Sequence, residues 1–144
     1  MDVEMPLNRA KLQKLADRYI RDAETLHRNR AWSSAYYLAG YAVECALKAR
    51  IAKEVRKHEF PDLKNTKEAY THDLERLLGR AGLAEMLAER RKTADGFRNN
   101  WEMVVINWNS EVRYDEVTKV MAEELIRAVN DSREGVLPWI KLHW

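Results

Sequence analysis

The fold of this chain is decided by one stretch, AYYLAGYAVECALKA at residues 35–49. Twelve of its fifteen residues are apolar or tyrosine, and the three exceptions, Gly40, Glu44 and Lys48, are spaced four apart. On an α-helix this spacing gathers the exceptions into one narrow stripe and leaves the rest of the circumference apolar. Such a helix is typical of the centre of a bundle, where other helices cover most of its surface.

A membrane-spanning segment is the rival interpretation of this stretch. Its fifteen residues fall short of the ~20 that cross a bilayer. Glu44 and Lys48 also lie inside the run, where a charge is costly in lipid. We therefore predict a buried helix in a water-soluble bundle that makes no use of a membrane.

Composition predicts one globular domain, residues 1–144. Hydrophobic residues make up 46% of the chain and charged residues 33%, with a formal net charge of +2. This weakly basic balance neither requires nor excludes nucleic acid as a partner. The N-terminus has no uninterrupted apolar run that would export the protein, and Cys45 has no second cysteine with which to form a disulfide. The location that we expect is cytoplasmic.

Apolar residues at intervals of three and four predict helices on both sides of the central one, which is expected to extend from Trp32 to Lys57. The further predicted helices cover residues 8–28, 73–80, 83–108 and 117–132. The link between the first two helices is so short that they should form an antiparallel hairpin. The apolar rhythm of the 83–108 segment continues through Gly96, which predicts one helix of about 26 residues with a weak point at Asp95 and Gly96.

Two segments are expected outside these long helices. Residues 58–71 are predicted to form a loop, because Pro61 has no amide hydrogen. Residues 136–144, VLPWIKLHW, are predicted to form a short apolar tail with Pro138 at a helix start. The fold class is therefore all-α, an up-and-down bundle of four to five helices with its core in residues 7–133.

The apolar tail also predicts a partner. Trp139 and Trp144 are large apolar side chains of the kind that concentrate interface energy, and a chain of this size has limited inner surface left for them. We therefore expect a homodimer built on helix faces and on this tail.

Motifs that carry chemistry are scarce. The five glycines are scattered, which excludes a glycine-rich phosphate loop, and none of the four histidines has a second His or Cys one helical turn away. We therefore expect no metal and no other cofactor. Cys45 lies on the apolar helix and is expected to be an inert, small hydrophobic residue, while Tyr36, Tyr37 and Tyr41 are expected in the core or in an interface.

The central helix resembles the signature helix of the HEPN domains (higher eukaryotes and prokaryotes nucleotide-binding). In that family a small-residue, aromatic-rich helix carries an alanine-any-glutamate-any-any-leucine-lysine pattern. The pattern stands here as Ala42, Glu44, Leu47 and Lys48. The segment THDLERLLGRAGL, which contains His72, and the turn with Arg113 and Tyr114 are also similar to family elements. The resemblance covers roughly residues 7–133.

The resemblance implies a dimeric helical bundle and, in many members, a metal-independent ribonuclease. Such members act as toxins or in defence and are often paired with a nucleotidyltransferase antitoxin. The active branch carries an arginine followed four to six residues later by a histidine. In this chain Arg113 is followed by YDEVTKV, without a histidine, and the only match elsewhere is Arg21 with His27 in the first helix, where the family does not place it. We therefore predict that the nuclease pair is absent.

Glu44 is the residue of the central helix that most needs a partner. A carboxylate inside a bundle has to be paired or neutralised. Lys48 is one turn away, but a pair between these two residues is expected to lie mostly at the surface, where it is weak. We therefore predict that Glu44 meets Arg113, whose guanidinium can hold a carboxylate through two hydrogen bonds, with Tyr114 nearby. This clasp is either purely structural or the floor of a nucleotide or RNA site.

Three function classes remain open at this point. The favoured one is a catalytically silent HEPN-type domain that acts as a dimeric binding module for a partner protein or for nucleotide or RNA. The second is a ribonuclease with an unorthodox active site, for which His72, Arg113 and Tyr114 are the candidates. The third is an unrelated helical interaction module. An enzyme is thus not required by the sequence.

Overall fold

The computed structural model describes residues 8–58, 71–109, 111 and 116–144. These residues form helices and turns without a strand, which confirms the all-α class. The helices are α1 (Arg9–Arg28), α2 (Trp32–His58), α3 (Leu74–Arg80), α4 (Ala84–Thr93), α5 (Asp95–Asn107), α6 (Lys119–Asn130) and α7 (Val136–Lys141). Within the described ranges there are thus seven helices instead of four to five, because one predicted helix is divided and the tail is helical.

Helices α1 and α2 form the predicted antiparallel hairpin. The Asn8 side chain caps α1 by accepting a hydrogen bond from the Lys11 amide at 2.9 Å. The buried stripe of α1 then follows the expected steps and packs against α2; it consists of Leu12, Ala16, Ile20 and Ala23. The rings of Tyr19 and Tyr41 meet across the hairpin with their centroids 5.1 Å apart.

Helix α2 is the centre of the molecule, as its sequence predicts. It contacts α1, α3, α6 and α7. Four small or branched residues in its middle have no solvent exposure, namely Ala39, Ala42, Val43 and Ala46. None of the helices in the described ranges is both long and apolar enough to span a bilayer.

The prediction of a single helix over residues 83–108 is wrong, because the structure has two helices there. The chain leaves the helical conformation at Ala94, with φ −143° and ψ 100°, so α4 and α5 are separate helices that pack against each other. The turn lets α5 bring its start against the segment after α6, where a side chain on Gly96 would overlap the Glu134 carboxylate. The apolar rhythm survives the break because Leu87 and Phe97, on either side of it, both point into the core.

The tail folds back onto the bundle as α7. Pro138 lies in its first turn, as expected for a proline at a helix start. Trp139 and Ile140 are buried, and the Trp139 ring lies 5.3 Å from the ring of Phe97. Leu142, in contrast, is 78% exposed, so this residue of the apolar tail does not pack on the bundle. Trp139 is buried within its own chain, so its side chain is not exposed to contact a second copy.

Candidate functional site

The polar stripe of α2 converges on Glu44. This carboxylate has no solvent exposure. Its Oε2 accepts a hydrogen bond from Lys48 Nζ at 3.2 Å, and its Oε1 lies 2.7 Å from His72 Nδ1. The Lys48 side chain is only 14% exposed, so the expectation that this pair lies mostly at the surface is wrong. Glu44, Lys48 and His72 therefore form one cluster, which we call the Glu44 cluster.

The start of α3 positions His72. Asp73 is the N-cap of this helix, and its Oδ1 accepts hydrogen bonds from the amides of Glu75 and Arg76 at 3.0 and 3.2 Å. The residue before the cap, His72, is thereby directed back at α2, which α3 contacts. The His72 side chain remains 49% exposed, so one edge of its ring faces away from the bundle.

Gly40, the first residue of the polar stripe, makes room for Trp108. A methyl group at this position would overlap the indole ring of Trp108. The indole Nε1 donates a hydrogen bond to the backbone oxygen of Tyr37 at 3.1 Å, and the Tyr36 hydroxyl donates to the backbone oxygen of Asn107 at 3.1 Å. The end of α5 is thereby fixed against α2 beside the Glu44 cluster.

A pocket of about 550 Å³ lies between the start of α3 and the end of α5. Its described lining consists of Thr71, His72, Asp73, Leu74, Glu75, Val105, Trp108 and Asn109. This volume falls within the range of small-molecule sites. We call this space the His72 pocket. A second pocket of about 500 Å³ shares Thr71 with it and is lined by Arg76, Gly79 and Arg80.

The negative charge of Glu44 acts on its neighbours in the bundle. Burial, and after it the Glu44 charge, raises the pKa of the Cys45 thiol to about 12. The same two causes raise the pKa of the Tyr41 hydroxyl to about 12. Cys45 is buried, as expected for a small hydrophobic residue, and its raised pKa disfavours the thiolate that a nucleophile needs.

Glu44 also fixes the tautomer of His72. A carboxylate only accepts hydrogen bonds, so Nδ1 of His72 carries the ring N–H and donates a hydrogen bond to Oε1 of Glu44. The opposite ring nitrogen, Nε2, has no hydrogen-bond partner among the residues that the structure describes. An imidazole held in this way offers one nitrogen of fixed orientation, which accepts a hydrogen bond when neutral and donates one when protonated.

The structure brings together three of the five predicted site residues. Glu44, Lys48 and His72 meet, whereas Arg113 and Tyr114 lie outside the described residues, and the predicted contact between Glu44 and Arg113 lies there with them. Sequence reasoning did not assign Trp108 to the site. The signal for it was Gly40, because a glycine inside an apolar helix marks the close approach of another group.

The described residues contain no candidate metal site. No three His, Cys, Asp or Glu side chains come together there in an arrangement that would hold an ion.

Comparisons of this chain with protein families, with curated proteins and with solved structures found no match. A function therefore has to be inferred from the residues of the site and from the resemblance of the central helix.

Proposed function

We propose that this protein is a HEPN-type helical binding module that takes a nucleotide, free or as part of an RNA, in the His72 pocket. The observation that carries the proposal is the completely buried Glu44, whose two oxygens hold His72 and Lys48 beside that pocket. A bundle needs no buried carboxylate for stability, since an apolar residue of similar size serves at least as well. Stability alone therefore does not account for the cluster, and we propose that it orients His72 toward a ligand.

The lining of the pocket favours recognition of the nucleobase over the phosphate. His72 Nε2 and the Asn109 amide are polar groups that can pair with the edge of a base, and Trp108 supplies an aromatic wall. The carboxylates of Asp73 and Glu75 disfavour an anion in the same space. The phosphates of the ligand are directed toward the neighbouring pocket, where Arg76 and Arg80 lie.

Calorimetric titration with AMP and with UMP tests the proposal. The substitution His72→Gln should weaken binding by about tenfold or more, because losing a hydrogen bond in a desolvated pocket costs ~1 to 3 kcal/mol. His27→Gln, the same change in the last turn of α1, should leave binding unchanged. A second variant, Val105→Trp, should abolish nucleotide binding, because the added indole fills the pocket from α5 while the Glu44 cluster is unchanged. Absence of binding to the wild type at millimolar nucleotide would disprove the proposal.

The resemblance also implies a homodimer and a nucleotidyltransferase partner of a toxin–antitoxin or defence system, and both belong to the proposal. Trp139 does not supply the dimer contact, since its side chain is buried within its own chain. Exposed apolar side chains on other faces remain for that role, among them Ile106, Val120 and Met121. Light scattering at micromolar concentration measures the mass, and a monomer would count against the dimer.

A second candidate function, a ribonuclease, is favoured by one contact. A carboxylate that holds one nitrogen of a histidine while the other faces a pocket is an arrangement used in general acid–base catalysis, and Glu44 and His72 have it. A single such group serves as base or as acid but not as both at once. We therefore place this function second and return to its test below.

A further inference from the structure

The outer side of α1 carries a row of cations. Lys11, Lys14, Arg18 and Arg21 are exposed and follow one another at intervals of three or four residues. Side chains at these intervals are neighbours on a helix surface, about 5 to 6 Å apart at their Cβ atoms. The four residues line a shallow groove together with Leu15 and Asp17. We call these four cations the α1 row.

The α1 row is not neutralised by the fold. Four cations on α4, α5 and α6 pair with carboxylates, namely Arg91 with Glu102, Lys92 with Glu89, Arg98 with Asp95 and Arg127 with Glu123. Within the described residues no member of the α1 row forms an ion pair. Asp17, which lies among them, pairs with Lys141 of α7 instead, and Asp22 is the next nearest acid along the helix. The row therefore presents net positive charge to the solvent.

Aromatic rings connect the α1 row with the His72 pocket. The Arg18 guanidinium lies 5.3 Å from the ring centroid of Tyr19. The ring of Tyr19 contacts that of Tyr41, which lies 5.9 Å from the ring of Tyr37. Tyr37 in turn lies 5.9 Å from Trp108, the aromatic wall of the pocket. The three tyrosines are only partly buried, and we call this run of rings the aromatic path.

We infer that the α1 row and this aromatic path bind a single-stranded polynucleotide, one nucleotide of which occupies the His72 pocket. The inference rests on the proposed function and extends it from a mononucleotide to a strand. Cations at regular short intervals match successive backbone phosphates, and partly exposed rings beside them offer stacking surfaces to bases. An acidic protein would use the cations but would leave the aromatic path without a role.

Fluorescence anisotropy with a labelled eight-nucleotide oligouridylate tests the inference. The octamer should bind the wild type at least about tenfold more tightly than UMP does, and the double variant Lys11→Glu/Lys14→Glu should lose that advantage. Because each phosphate contact on a single strand contributes about 0.7 to the slope of log affinity against log salt, the slope should fall by about 1.4 in this variant. Glutamates in the first turns of α1 suit the helix dipole, so the variant should remain folded.

Lys92→Glu/Lys119→Glu is the matched control, since it changes the net charge equally on exposed residues of α4 and α6. An equal loss of affinity in both double variants would reduce the effect to overall charge and would overturn the inference. So would an octamer that binds no more tightly than UMP, or a preference for polyglutamate over the octamer. Octamer binding that depends on the α1 row without any binding of UMP would overturn the placement of a nucleotide in the His72 pocket, and with it the proposed function, and would leave the strand on the α1 row alone.

Discussion

A carboxylate without solvent contact persists in a fold only where its charge is balanced, and Glu44 is balanced from two directions. Lys48 holds it from its own helix, and His72 holds it from the start of α3. These contacts use both oxygens, so the cluster fixes the rotamer of every member. A rigid first contact with a ligand requires this kind of support, which isolated surface residues lack.

Glu44→Gln should lower the free energy of unfolding by about 3 kcal/mol, because it leaves Lys48 charged, mostly buried and unpaired. Glu54→Gln is the control on the same helix, since Glu54 pairs with Arg50 but is 25% exposed, and should cost less than about 1 kcal/mol. Urea unfolding at pH 7 measures both, and equal losses would contradict the role of burial.

Combining Glu44→Gln with Arg113→Met tests the predicted clasp, because residues in contact couple by ~0.5 to 3 kcal/mol.

Gly40→Ala should destabilise the protein by about 1 to 3 kcal/mol, although alanine is the better helix former. The added methyl group would overlap the Trp108 indole, which has to move from its hydrogen bond with Tyr37. Gly79→Ala is the matched control, since a methyl group at that helical position meets nothing within 4 Å and should stabilise α3 slightly. Thermal unfolding compares the two. A neutral Gly40→Ala would mean that the indole does not lie on the backbone of α2.

At the scale of the elements, the sequence predicts most helices because their apolar spacing is a local property. The bounds of α1, α2, α3 and α6 agree with the predicted segments to within a few residues. The apolar rhythm continues through both halves and therefore predicts one helix, while the weak point expected at Asp95 and Gly96 lies directly after the actual break at Ala94. Beside the break, the Glu134 carboxylate fills the space next to Gly96, and no local spacing records this tertiary contact.

Helix α3 has seven residues and depends on its cap. Asp73→Ala should cost about 1 kcal/mol of stability and should weaken binding in the His72 pocket, because the amides of Glu75 and Arg76 lose their acceptor and the helix that directs His72 frays. Asp73→Ser keeps an acceptor at the cap and should retain most of both properties. Urea unfolding and UMP titration check the pair of variants. If Asp73→Ser fails as badly as Asp73→Ala, the carboxylate itself serves the site and capping is not the cause.

At the scale of the whole molecule, the residues of the site were easier to predict than their contacts. Glu44 and Lys48 stand out inside an apolar helix, and His72 precedes a strong cap signal. Their meeting joins segments 28 residues apart and depends on how α3 packs, which the local spacing of residues does not reveal. Arg113 was preferred as the partner of Glu44 because its guanidinium is the stronger ligand for a carboxylate. That contact lies outside the described residues, and within them Glu44 is held by Lys48 and by His72, the residue before a helix cap.

Purified protein is expected to leave RNA intact. Cleavage through the 2′-hydroxyl needs one group that takes its proton and another that protonates the leaving oxygen, each worth ~10² to 10⁴ in rate. His72 is the one imidazole in the described lining of the pocket, and the Oδ1 of Asp73 already accepts the amides of α3. A labelled RNA incubated with the protein, with and without chelator, should therefore remain uncleaved on a denaturing gel.

His72→Ala decides the meaning of any cleavage that does occur. Activity that disappears in this variant while the fold is retained would contradict the binding-only role and would make Glu44 the residue that orients a catalytic histidine. Activity that persists at the same level in His72→Ala would show that the cleavage does not depend on the imidazole of the pocket. Glu44→Gln separates orientation from proton transfer, since it keeps His72 but removes its charged acceptor, and a real catalytic pair should lose rate with substrate affinity largely retained.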